Sequence, residues 1–184
     1  MNTSAKRRAR PGTRHSLAVR LLTPVTLFFV IGSQNIPAIA QPLMQANLSV
    51  AQAMQIVDAV IAECSRPGDL VTVSVAVVDR AGQPVMQVRA DTASTFNWEL
   101  AYRKAYTALS MRRTSLEWRD RTAGDSDLAG QRSLSDLIPL GGGAPIMMGD
   151  QAIGGVGVSG ARGGQAGDTA CAEAGIAAIA DELR

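Results

Sequence analysis

Residues 141–176 read GGGAPIMMGDQAIGGVGVSGARGGQAGDTACAEAGI, and their punctuation sets out a strand, a turn, a strand, a glycine loop and a helix. Ala144 to Met148 and Ala152 to Ser159 are apolar runs, and Gly149-Asp150 between them offers the positive φ that a type II′ hairpin turn requires. The two runs are therefore expected to pair antiparallel. Glycines 160, 163, 164 and 167 then deny the backbone a regular preference, and Asp168 is expected to cap a helix running to about Leu183. A GxGxxG string lies inside the stretch, from Gly155 to Gly160. In a dinucleotide fingerprint those glycines form the turn after a strand and open a helix. Here Gly155 and Gly157 fall within the strand itself, so they are read instead as the mark of a backbone or helix packed closely on that face.

Upstream, the same reasoning yields a second hairpin between two helices. Ser49-Val50-Ala51-Gln52 is a capping box, and Val50, Ala53, Met54, Val57, Val60, Ile61 and Cys64 recur at helical spacing until Pro67-Gly68. Val71 to Val78 is rich in β-branched residues, Asp79-Arg80-Ala81-Gly82 turns the chain, and Pro84 to Arg89 returns as a strand. Thr95 to Arg112 reads as a long helix with Phe96, Leu100, Ala101, Lys104, Ala105, Ala108 and Met111 near one stripe. Residues 113–139 carry no clear period. Helix, hairpin, helix, irregular crossover, hairpin, helix predicts an α/β fold with a mostly antiparallel sheet and helices on both faces.

The first 40 residues have the three parts of a secretion signal. Lys6, Arg7, Arg8, Arg10, Arg14 and Arg20 form a basic region without acids, Leu21 to Gly32 is apolar, and Ala38-Ile39-Ala40 supplies small residues before Gln41. The apolar part is too short for a membrane span. Arg7-Arg8 lacks the apolar pair that the twin-arginine route expects, because Ala9, Arg10 and Pro11 follow, so general secretion is favoured. Cleavage after Ala40 would remove six of the 18 Lys and Arg and none of the 16 Asp and Glu, turning a formal charge of +2 into −4. A periplasmic or secreted single domain of residues 41–184 is expected, with no membrane span after processing. Its mild acidity offers no electrostatic footprint for nucleic acid. The single histidine, His15, leaves with the signal, so neither a Ser/His triad nor a histidine-ligated metal is available to the mature chain.

Taken together, SVAVVDRAGQPV, RKAYTALSM, LGGGAPI, GGVGVSGA and DTACAEAGIAAI resemble, in order and across nearly all of residues 48–180, the GlcG/HbpS family, also described as haem-degrading or DUF336. The resemblance implies a profilin-like α/β/α sandwich, assembly into homo-oligomers, and haem as the small-molecule partner. It further implies a threonine rather than a histidine at the haem iron. Thr107, in RKAYTA, and Thr114, in RRTS, are the two positions on matching motifs, and Thr107 is preferred. An acidic iron motif of the family has its nearest approach in Glu117-Trp118-Arg119-Asp120, read here as an ordinary salt-bridged face.

The residues of the second helix supply a porphyrin surface on their own terms. Tyr102, Tyr106 and Met111 offer apolar or polarisable area, while Arg103, Lys104, Arg112 and Arg113 offer charge for two propionates. The plainer reading, that the aromatic and methionine side chains pack the helix on the sheet and the cations face water, stands beside it. An enzyme acting on a small metabolite at an oligomer interface is an alternative whose only candidate acids are Asp79 and Glu99, and no catalytic residue is assigned. An oligomeric structural or signalling platform is a third reading. Cys64 and Cys171, the only cysteines, would meet in a disulfide if the first and last helices pack antiparallel in an oxidising compartment. Two buried thiols remain the competing state.

Overall fold

The computed structural model describes residues 41–65 and 70–184; the leader and the Pro67-Gly68 stop lie outside them. The chain divides between Pro42 and Leu43, and all elements below belong to the unit Leu43–Arg184. In order these are α1 (Val50–Cys64), β1 (Ser74–Asp79), β2 (Pro84–Arg89), α2 (Asn97–Met111), α3 (Ser115–Arg121), a 3-10 turn (Ala129–Ser133), β3 (Gly143–Met148), β4 (Gln151–Ser159), α4 (Gly164–Ala177) and a final 3-10 turn (Ala180–Leu183). The strands form one sheet in the order β2-β1-β4-β3, every neighbouring pair antiparallel. Among the described residues no helix is long and apolar enough to cross a membrane.

Alternation along β1 explains the layers. Val75 and Val77 join Ile56 and Val60 of α1 and Ala172 of α4 in the larger core, whereas Ala76 and Val78 meet Ala101, Ala105 and Leu109 of α2. The fold is thus an α/β/α sandwich, with α1 and α4 on one face and α2 on the other. Gly149 opens the β3–β4 turn at φ 57°, and Met148 pairs with Gln151 across it, as the sequence led us to expect.

The α2 face of the sheet is floored with glycine. A Cβ on Gly157 would run into the Ala101 carbonyl, one on Gly155 would lie 2.5 Å from the Ala105 oxygen, and one on Gly143 would strike the Lys104 carbonyl. The helix backbone therefore rests directly on β3 and β4, the close approach read from the in-strand glycines. On the opposite face Gly175 of α4 admits Val60 and Ile56 of α1.

Three local expectations are corrected. The last helix starts at Gly164, four residues before Asp168, because Gly163 and Gly164 turn the chain at φ 83° and 63°; Asp168 is buried within the helix. The buried stripe of α1 is Ala53, Ile56, Val57 and Val60, while Val50 and Met54 are exposed. Residues 113–139 are not featureless: Thr114 and Glu117 form a capping box for α3, which buries Trp118 with its indole N–H on Gln131. The Ser49/Gln52 box on α1 is present as expected. Cys64 and Cys171 are bonded, with Cα atoms 5.9 Å apart, joining the end of α1 to the middle of α4.

Candidate functional site

The glycine floor determines which α2 side chains are free to act. Pressing the helix onto the sheet buries Ala101, Lys104, Ala105, Thr107 and Ala108 and leaves Tyr102, Arg103, Tyr106 and Met111 partly exposed along the flanks. Lys104, expected to meet a propionate, is instead 2% exposed. Its Nζ donates to Asp168 Oδ2 at 2.7 Å and to the Val158 carbonyl at 3.0 Å, and Asp168 Oδ1 accepts from the Ala161 N–H at 2.8 Å. A Cβ on Gly142, at φ 123°, would lie 2.9 Å from that ammonium. Lys104 is a buried tie between α2, β4 and α4, out of reach of any propionate.

Thr107, preferred above as the iron ligand, is fully buried. Its hydroxyl donates to the Arg103 carbonyl at 2.7 Å and accepts from the Ile138 N–H at 2.9 Å, so it holds the crossover to α2 and turns no oxygen outward. Arg103 bridges Glu99, at 3.3 Å, and the Leu137 carbonyl, at 2.9 Å. Thr114 caps α3 and borders a separate cleft of about 340 Å³ with Ala144, Pro145, Glu173 and Ile176. Arg113 donates to the half-buried Met111's carbonyl. The candidates thus do not converge on one pocket.

Of the haem candidates named from the sequence, Tyr106 and Arg112 border the cleft formed where the two hairpin turns meet the end of α2. Arg80, Ala81 and Gly82 make one lip, Asp150, Gln151 and Ala152 the other, and Tyr106, Leu109, Ser110 and Arg112 the base, enclosing about 400 Å³. That is within the size range of small-molecule sites, roughly 300–1,000 Å³. Gly82, at φ 77°, lies flat against the Tyr106 ring, and a Cβ there would come within 2.6 Å of it. Arg80 keeps a lip in place through Gln151, at 3.1 Å. Tyr102 packs next to Tyr106 with ring centroids 6.1 Å apart. Desolvation, then the nearby Asp136 and Tyr106, push the Tyr102 phenol above its ordinary pKa, so it stays neutral near pH 7.

The acids considered for catalysis have structural work. Asp79 Oδ1 accepts from the Ala81 and Gln83 N–H groups at 2.8 and 2.9 Å, forming the turn, and Glu99 pairs with Arg103 on the surface. Glu117 caps α3 and Asp120 pairs with Arg119, as expected for a solvated face. Judged by donor chemistry, haem does not fit Thr107 or Lys104, whose polar atoms are committed. The hairpin cleft brings a phenol to the guanidinium groups of Arg80 and Arg112, but its one large aliphatic side chain, Leu109, is buried, which leaves little apolar surface for a macrocycle. Sequence reasoning missed Arg80 and Gly82 as site residues, since only the fold brings the first turn onto α2.

These features define an α/β/α sandwich protein with a cleft between its hairpin turns. Residues 48–177 match the family described as haem degrading protein HbpS-like, and the chain belongs to that family. Solved structures agree. Klebsiella pneumoniae protein ORFY superposes with a TM-score of 0.70 at 25% identity, covering 77% of this chain and 97% of its own. HbpS gives 0.69 at 29% identity, covering 76% and 94%. PduOC, solved as a haem complex, gives 0.64 at 30% identity, covering 72% and 94%.

Proposed function

We propose that this protein binds haem and does so as an exported homo-oligomer. The observation that carries the reading is the likeness to PduOC, solved as a haem complex, together with membership of a family described as haem degrading. When bound, haem would supply iron-centred ligand and redox chemistry. The chain's part is to bind and orient it, and Arg80 and Arg112 at the hairpin cleft would be available to the propionates as charge-assisted donors. Export is supported by the Cys64–Cys171 bond, because disulfides persist in oxidising compartments. Assembly is supported by the exposure of Phe96 and Trp98 at the start of α2. Titrating purified protein with hemin should give a saturable Soret band. A spectrum equal to that of free hemin at every ratio would overturn the reading.

A further inference from the structure

The hairpin cleft gathers hydrogen-bonding groups that the fold itself leaves unused. Arg89, Arg103, Arg119 and Arg132 each commit their guanidinium to a carbonyl or a carboxylate of the chain. Arg112 lines the cleft, and its guanidinium has no hydrogen bond or ion pair among the described residues. Arg80 reaches Gln151 through one nitrogen, at 3.1 Å, and its other side-chain nitrogens make no hydrogen bond among those residues. The Tyr106 and Ser110 hydroxyls on the base of the cleft are likewise without a hydrogen-bond partner there.

The backbone holds two of these groups in place. Gly82, buried and at φ 77°, fixes the Tyr106 ring from one side. Arg112 ends α2 in the left-handed region, at φ 50°, with its N–H donating to the Leu109 carbonyl. That conformation favours glycine, because a Cβ is disfavoured there. An arginine kept in it retains a cationic side chain at the cleft at the cost of strain, which points to a use for that side chain.

The chemistry of the lining selects the ligand. Polar groups dominate the surface, and two guanidinium groups face one carboxylate, Asp150, so a small polar anion is favoured. Phosphate sites gather backbone N–H groups at a helix N-terminus or in a turn. Here α2 presents its C-terminal end, the negative end of its dipole, which opposes a compact dianion lodged against it. Guanidinium forks carried out on side chains suit planar carboxylates instead, and Arg80 and Arg112 come from separate elements, the first hairpin turn and the end of α2. We propose that the hairpin cleft binds a small polar dicarboxylate, one carboxylate on Arg112 and the other on Arg80, with the Tyr106 hydroxyl donating to the bound acid. Carboxylates reach a protein both as free organic acids and as the propionates of haem. The scarcity of apolar surface selects the free acid, so the proposal does not rest on the haem reading.

Calorimetric titration of the full chain with succinate at low ionic strength tests this. Saturable binding at one site per chain is expected, with no binding of the neutral isostere succinamide and weaker binding of inorganic phosphate. Arg112→Asn, which the left-handed backbone tolerates, should keep the parent's far-ultraviolet circular dichroism spectrum and weaken succinate binding about tenfold or more. Tyr106→Phe keeps the ring against Gly82 and should weaken it about threefold to tenfold. Arg121→Gln removes the same charge from the exposed end of α3 and should bind as the parent does. No saturable heat from the parent up to about 10 mM succinate, where a millimolar site would be mostly filled, would overturn the proposal. So would an Arg112→Asn variant that binds as tightly as the parent, or an equal loss in Arg121→Gln. Phosphate bound more tightly than succinate would overturn the ligand class. Hemin titrations of the same variants separate the two sources of carboxylate. Equal hemin binding by Arg112→Asn and the parent leaves the cleft to the free acid, whereas weakened hemin binding without any succinate binding assigns the arginines to propionates and overturns the proposal. A parent that takes succinate but not hemin would remove the haem reading and leave this one standing.

Discussion

Lys104 illustrates how far a side chain's identity is from its role. Read along α2 it is one cation among four; in the fold it is the buried partner of Asp168, at 2.7 Å. An ion pair taken out of water is held in place chiefly by the loss that follows when one member goes, since the survivor is left as an uncompensated charge. Lys104→Met should therefore cost about 3–5 kcal/mol, and the double replacement with Asp168→Leu should recover part of it. Urea unfolding of the two variants checks this, and an unshifted midpoint for Lys104→Met would show that the pair is not formed. Thr107 repeats the lesson. The matching motif was legible, but the two hydrogen bonds that occupy its hydroxyl come from a residue one turn back and from Ile138, in a crossover without periodicity.

At the scale of elements, most of the architecture was legible. Both hairpins, the first two helices and the meaning of the in-strand glycines follow from periods of 2 and 3.6 and from turn chemistry, which are local properties of the chain. The start of α4 was misplaced because Gly163 and Gly164 together make the turn, a geometry that composition does not distinguish from an irregular loop. The box at Thr114 and Glu117 was available as an S/T-x-x-E signature and marks a helix in a stretch otherwise lacking periodicity. The contact of α2 with β4 is the most sensitive to change. Gly157→Ala places a methyl group on the Ala101 carbonyl, and since neither backbone can yield independently, destabilisation of about 1–3 kcal/mol or more is expected in thermal or urea unfolding. Unaltered stability would mean that the helix stands off the sheet.

For the whole molecule, the disulfide and the leader belong to one prediction. Cys64 and Cys171 are 107 residues apart, and closing so long a loop is worth about 4–5 kcal/mol on the chain-entropy model. Material recovered from outside the cytoplasm should begin at Gln41 by mass spectrometry and yield the linked Cys64–Cys171 peptide without reductant. Recovery of the intact N-terminus with two labelled thiols would contradict both parts. The sequence by itself determined the α/β class, the antiparallel hairpins, the family and the order of the elements, because these rest on local periodicity and on motifs contiguous in the chain. Only the tertiary structure decided which α2 residues are buried and which border the hairpin cleft. The glycine floor rotates Lys104 and Thr107 inward, and two turns remote in sequence bring Arg80, Gly82 and Gln151 to Tyr106 and Arg112. A helix shows its stripe in its own spacing, but the neighbour that covers each side of that stripe is set by packing against strands elsewhere in the chain.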